Sequence, residues 1–150
     1  MRYIGIDPGK GGGIAALEDD GIVALVGRMP ETDQDVLDML QYARGDAALG
    51  VHAVLEFVRS SPQMGVVSAF TFGCGYGGLR MALAAAGIPY DEAVPVKWQN
   101  AMRCRSRGDK NVTKRRAQEL FPSVKVTHGI ADALLLAEYC RRSRAGTKLF

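Results

Sequence analysis

The sequence contains no CxxC pair, and its three cysteines, Cys74, Cys104 and Cys140, are odd in number and far apart. This argues against a disulfide framework or a thiolate zinc site and points to free, mostly packed thiols in a reducing cytoplasm. No apolar run approaches the roughly 20 residues that span a bilayer, and no charged-then-apolar leader opens the chain, so neither a membrane nor a secreted protein is expected. Repeats, low-complexity tracts and linker-like stretches are also missing. The 150 residues therefore suggest one domain, residues 1–150, and the 47% hydrophobic content argues against disorder. Lys10 between Gly9 and Gly11 invites a phosphate-loop reading, but GxxxxGK[ST] needs Ser or Thr after the lysine, and Gly11 stands there. No nucleotide cofactor is expected.

The net charge of +3 conceals an asymmetry. Residues 1–96 carry six basic and twelve acidic side chains, whereas residues 97–150 carry thirteen basic and four acidic ones. A split from −6 to +9 points to an anionic partner met by the second half of the chain.

Apolar patterning lays out an α/β chain. RYIGI predicts a short strand ending at Asp7, and GGGIAALEDDGIVALVGRM predicts two more strands joined at Asp19, Asp20 and Gly21. Thr32 is a good N-cap for a helix with Val36, Leu37, Leu40 and Ala43 on one face. VHAVLEFV at 51–58 predicts a fourth strand, a glycine- and alanine-rich helix follows over 64–87, and PYDEAVP predicts a fifth strand. A short helix at 96–102, a basic loop at 103–110, a helix at 111–121 and a last helix at 128–143 complete the chain. One reading of the closing RRSRAGTKLF, which the pattern leaves unplaced, is a disordered basic tail that adds nonspecific DNA affinity.

Three carboxylates stand out by position. Asp7 ends the first strand, Glu56 lies near the end of an apolar strand, and Asp132 sits in the apolar helix start GIADALLLA. Ionised carboxylates in apolar settings are costly unless paired, hydrogen-bonded or bound to metal. If strands one and four are neighbours, Asp7 and Glu56 project from one end of the sheet, and a helix across it can add Asp132. Such an oxygen-rich site suits Mg²⁺, with Mn²⁺ able to substitute, and a two-ion version hydrolyses phosphodiesters. The glycines after Asp7 are expected to keep the approach open for a bulky substrate.

IGIDPG at the start, VLEFV in the fourth strand and HGIADALLLAEY near the end together resemble the RuvC family of Holliday-junction resolvases. The middle, FGCGYGGLRMALAAAGIPYDEAVPVKWQ, is similar to the small RuvC-like proteins of bacteriophages and prophages, which implies the cytoplasm of an infected or prophage-carrying host. The resemblance implies a ribonuclease H-like fold: a mixed five-stranded sheet, three strands antiparallel and then two parallel, with helices on both faces. It implies Asp7, Glu56 and Asp132 as metal-binding catalytic acids, Asp7 bridging two ions, with 5′-phosphate and 3′-hydroxyl products. The family's fourth ligand, an Asp or His three residues before the last Asp, falls on Gly129 here, and the imidazole stands one residue earlier. His128 and Asp132 share a helical face, so His128 is a further catalytic candidate, as a ligand or in proton transfer. His52 reads as structural.

Lys97, Arg103, Arg105, Arg107, Lys110 and Lys114 are the candidate phosphate contacts, and Lys97 and Lys110 resemble family positions. Arg115 and Arg116 cannot share one helical face, so at least one is a surface charge. Phe57, Arg59 and Met64 remain open as the side chain that wedges into a junction. Phe70, Phe72 and Tyr76 read as core or dimer contacts, and Trp98 as core or a base-stacking platform.

The expected function is thus a metal-dependent endonuclease cutting four-way and related branched DNA. It is expected to work as a homodimer, because symmetric cutting needs two sites related by a dyad, and the helix at 64–87 offers the pairing face. A nuclease of broader taste and a non-catalytic junction-binding protein are the alternatives. An actin-like sugar kinase would need a second such domain to enclose ATP.

Overall fold

The structure, a computed structural model, describes residues 1–146. Five strands, β1 (Arg2–Asp7), β2 (Gly13–Leu17), β3 (Val23–Arg28), β4 (Val51–Glu56) and β5 (Tyr90–Ala93), form one sheet in the order β3-β2-β1-β4-β5. β1 to β3 pair antiparallel, and β4 and β5 add in parallel. The mixed sheet expected from the sequence is present. The fourth and fifth strands are shorter than expected: the Phe57 amide makes a last bond to the Ala93 carbonyl at 2.8 Å, and Pro95 opens the next helix.

Two helices cover one face: α1 (Asp33–Arg44) and α2 (Val66–Ala85). Three cover the other: α3 (Pro95–Ala101), α4 (Lys110–Leu120) and α5 (His128–Arg144). Thr32 caps α1 as expected, its hydroxyl accepting from the Asp35 amide at 3.1 Å. The turn at Asp19 and Asp20 closes with Gly21 in a positive-φ conformation. Strand alternation sorts the sheet's side chains between two cores. Ile4, Ile6, Ala53 and Leu55 face the α1–α2 side, while Tyr3, Ala15 and Val54 face α5.

α5 is the keystone of the second face. Residues 133–140 are all buried, so it is apolar nearly all round and lies between the sheet and α4. Its backbone rests directly on β1 at Gly5, where a Cβ would come within 2.2 Å of the Ala133 carbonyl oxygen and the Ala137 nitrogen. Only a residue without a side chain allows that approach.

The far end of the sheet is tied by charge. His52 Nε2 lies 3.0 Å from Asp91 Oδ2, and Arg144 donates to Asp91 at 2.9 Å, so His52 is structural as expected. Arg141 and Arg142 both bind Glu138 at 2.7 Å. The tail expectation is corrected here: Arg141, Arg142 and Arg144 belong to α5 and are engaged within the chain, while residues 147–150 lie outside the described residues. Cys104 and Cys140 are packed, and Cys74 is exposed.

The α5–β1 contact yields a stability test. Gly5→Ala forces backbone apart from backbone, so it is expected to cost about 1–3 kcal/mol or more, read as a lower midpoint in urea or thermal unfolding. An unchanged midpoint would show that the helix sits farther from the strand.

Candidate active site

Register brings the acids together. β1 and β4 run parallel with Ile6 beside Leu55, so Asp7 and Glu56 end neighbouring strands at the same edge. Alternation puts Asp7 on the face of Tyr3, and Glu56 on the face of Val54, which is the face under α5. Asp132 lies in the first turns of α5, just before the residues that rest on Gly5. The structure thus unites the three acids predicted from sequence.

The loop between β1 and β2 corrects one expectation. Its glycines mainly serve the turn: Gly9 has φ 96°, and the Gly12 amide donates to the Gly9 carbonyl at 3.1 Å. A Cβ on Gly12 would lie 2.0 Å from the Asp7 carbonyl oxygen, so Gly12 lets the chain fold back against Asp7. Gly11 alone of these has open space around it.

The acids strain against one another. Burial, with the charges of Glu56 and Asp132, pushes Asp7 up to about 8. Burial also raises Glu56 and Asp132; Trp98 offsets part of the first shift, and Thr113, Lys110 and His128 part of the second. Asp132 Oδ1 is buried with no hydrogen-bond partner. Partner-poor carboxylates held in repulsion are the donor set of a divalent-cation site.

Among the described residues, no three His, Cys, Asp or Glu side chains converge tightly enough to hold one ion between them. Mg²⁺ keeps several waters and commonly takes only one or two carboxylates plus substrate phosphates, so it does not require such a cluster. As oxygen donors, Asp7, Glu56 and Asp132 are the residues that would hold a hard cation.

Trp98 was legible only as core or stacking. It is fully buried on α3, and its Nε1 donates to Glu56 Oε1 at 2.9 Å, so it orients a site carboxylate. The available signal was the general rule that a buried indole N–H finds an acceptor.

The predicted basic residues fall into two groups. Lys110 begins α4, and its charge acts on both Asp7 and Asp132; His128 begins α5, exposed, with its charge acting on Asp132. Lys114 lies one turn beyond Lys110. Lys97 is exposed on α3, and Arg103, Arg105 and Arg107 are exposed on the α3–α4 loop, where Arg103 and Arg107 adopt positive φ. Arg116 is engaged with the Met102 carbonyl and Glu119, which leaves Arg115 as the surface charge. Arg28, at the end of β3, went unnoticed in the sequence.

No protein-family model matches the sequence, and no curated protein does. Solved structures do. RuvC of Thermus thermophilus in complex with a Holliday junction substrate superposes with a TM-score of 0.71 at 19% identity, covering 98% of this chain and 97% of that one. A second Thermus thermophilus RuvC structure gives 0.63 at 21% identity, with 98% of each chain covered. The chain therefore has the RuvC fold, within the ribonuclease H-like class expected from the sequence.

Two measurements probe the site without any substrate. Folded Asp7 keeps a proton to about pH 8 that the unfolded chain releases near 3.8, so stability of the metal-free protein falls as pH rises through that window. Asp7→Asn is expected to shallow this slope and raise the melting temperature at pH 8 in chelator; an unaltered slope would refute the burial of Asp7. Trp98→Phe keeps the ring but leaves Glu56 Oε1 unpaired, at an expected loss of about 1–3 kcal/mol in denaturant unfolding.

Proposed function

We propose that this protein is a metal-dependent endonuclease that hydrolyses phosphodiester bonds in four-way and related branched DNA. The observation that carries the reading is the placing of Asp7 and Glu56 at one sheet edge, with Asp132 on α5 and Lys110 on α4 near enough for their charges to act on Asp7. The substrate class draws support from the fold shared with a RuvC seen on a Holliday junction substrate.

Mg²⁺ or Mn²⁺ held by Asp7 with Glu56, and by Asp7 with Asp132, would supply Lewis-acid stabilisation of phosphoryl oxygens and a more acidic water. Asp7, Glu56 and Asp132 are then relieved of their mutual repulsion. Trp98 fixes the orientation of Glu56 through Oε1. His128, exposed four residues before Asp132, is positioned to pass protons between the site and bulk water. Lys97, Arg103, Arg105, Arg107 and Lys114 hold the phosphate backbone around the cut.

Two copies would pair through α2 to present two sites. On that helix Val66, Val67, Phe70 and Met81 are exposed, and a Cβ on Gly73, Gly75 or Gly77 would meet nothing within the chain. These glycines are not required by internal packing, which supports close approach by a second helix.

The test is a cleavage assay on labelled four-way junction, fork and linear duplex with Mg²⁺, Mn²⁺ or chelator. Paired, symmetric nicks in the junction that disappear with chelator and with Asp7→Asn are the expected result. Equal cutting of forks would widen the reading to a general branched-DNA nuclease. Junction binding with no cutting under any metal would overturn it.

A further inference from the structure

A second feature adjoins the acids. A cavity of about 420 Å³ is lined by Gly11, Arg28, Lys110, Thr127, His128 and Gly129, with no acidic side chain in the set. We infer that this cavity is an anion seat that takes a backbone phosphate of the nucleic-acid strand, next to the phosphate being cut. The inference deepens the nuclease reading and rests on it for the identity of the strand.

The placement follows from register. Asp7 pairs with Gly13, and Gly13 pairs with Arg28, so the three stand in one row across the sheet. Directly opposed residues point to the same face, so Arg28 shares the α5 face with Asp7, two strands away and about 10 Å along the row. Gly13 between them carries no side chain to divide the two. On the other side, a Cβ on Gly129 would lie 3.4 Å from Arg28 Nε, so the arginine stem runs along the start of α5.

The charges in the cavity are free to receive a ligand. Among the described residues, the side chains of Arg28, Lys110 and His128 make no hydrogen bond or ion pair. By contrast Arg2, Arg44, Arg116 and Arg141 all donate to protein acceptors. The unpaired Arg28 and Lys110 cations, gathered with the His128 imidazole on one open cavity, have the donors a phosphate diester accepts from, and a guanidinium can do so in bidentate fashion. The arrangement also resolves a conflict of sign. Three carboxylates repel a polyanion, and a basic seat one step along the sheet holds the strand by a neighbouring phosphate while leaving the acids to the scissile one.

The test separates the seat from the catalytic reading. In an Asp7→Asn background, junction binding is followed by fluorescence anisotropy from 50 to 200 mM salt. Adding Arg28→Gln is expected to weaken binding about tenfold and to reduce the salt slope by about one, with junction, fork and duplex affected alike. Arg28→Lys restores most of the slope, and melting temperatures stay unchanged because Arg28 has no hydrogen-bond or ion-pair partner among the described residues. In parallel, inorganic phosphate is titrated in chelator while the His128 imidazole is followed by NMR; the shift is expected in the parent and lost in Arg28→Gln. An unchanged salt slope together with an unchanged His128 response would overturn the seat, whatever the cleavage assay gives. A lost phosphate response beside absent metal-dependent cutting would keep the seat and remove the nuclease.

Discussion

Asp7 is held where its own ionisation is opposed twice, by burial at the end of β1 and by the carboxylates of Glu56 and Asp132, and the rest of the molecule is arranged around keeping it there. Two parallel strands must end in step to set Asp7 beside Glu56. A nearly all-apolar helix must then lie hard against the sheet to bring Asp132 over them, and that contact is possible because Gly5 has no side chain. The cost of gathering like charges is met by burial of α5 between the sheet and α4, the largest apolar contribution on that face. Stability and the ionisation of these carboxylates are opposed at this point, a pattern found where perturbed groups cluster at functional sites.

Around the acids the chain sorts its cations by role. Arg2, Arg44, Arg116, Arg141, Arg142 and Arg144 serve the fold, each joined to an acid or a carbonyl. Arg28, Lys110 and His128 line one cavity and are not so joined among the described residues, and Arg103, Arg105 and Arg107 project from the loop between α3 and α4. The basic excess of the second half of the chain is therefore partly architectural, and only the unengaged subset is available to a polyanion. The same α3 that anchors this loop also presents Trp98 to Glu56, which couples the position of a site carboxylate to the packing beneath the basic loop.

Much was legible in the sequence because the signals were local. Periodicity, the Thr32 cap and the Asp-Gly turn located the elements, and three acids in apolar company marked themselves as anomalous. Trp98, Arg28 and the engagement of the closing arginines were not legible, because each depends on which distant residue stands opposite. Gly12 was read as open space and is instead a close contact with Asp7. Charge and a resemblance to a family position single out Lys110 as a phosphate contact, and the structure sets it beside the acids as the first residue of α4.

By itself the sequence determined an α/β chain with its strand and helix types and singled out the three acids, since these follow from side-chain pattern and the cost of burying charge, while the mixed sheet was implied by the resemblance of its motifs. Tertiary structure alone decided that Asp7, Gly13 and Arg28 form one row, that α5 rests on Gly5, and that an indole holds Glu56. The reason is physical: propensity and amphipathicity act over a few neighbouring residues, whereas strand register and helix-to-sheet distance are set by contacts between residues tens of positions apart.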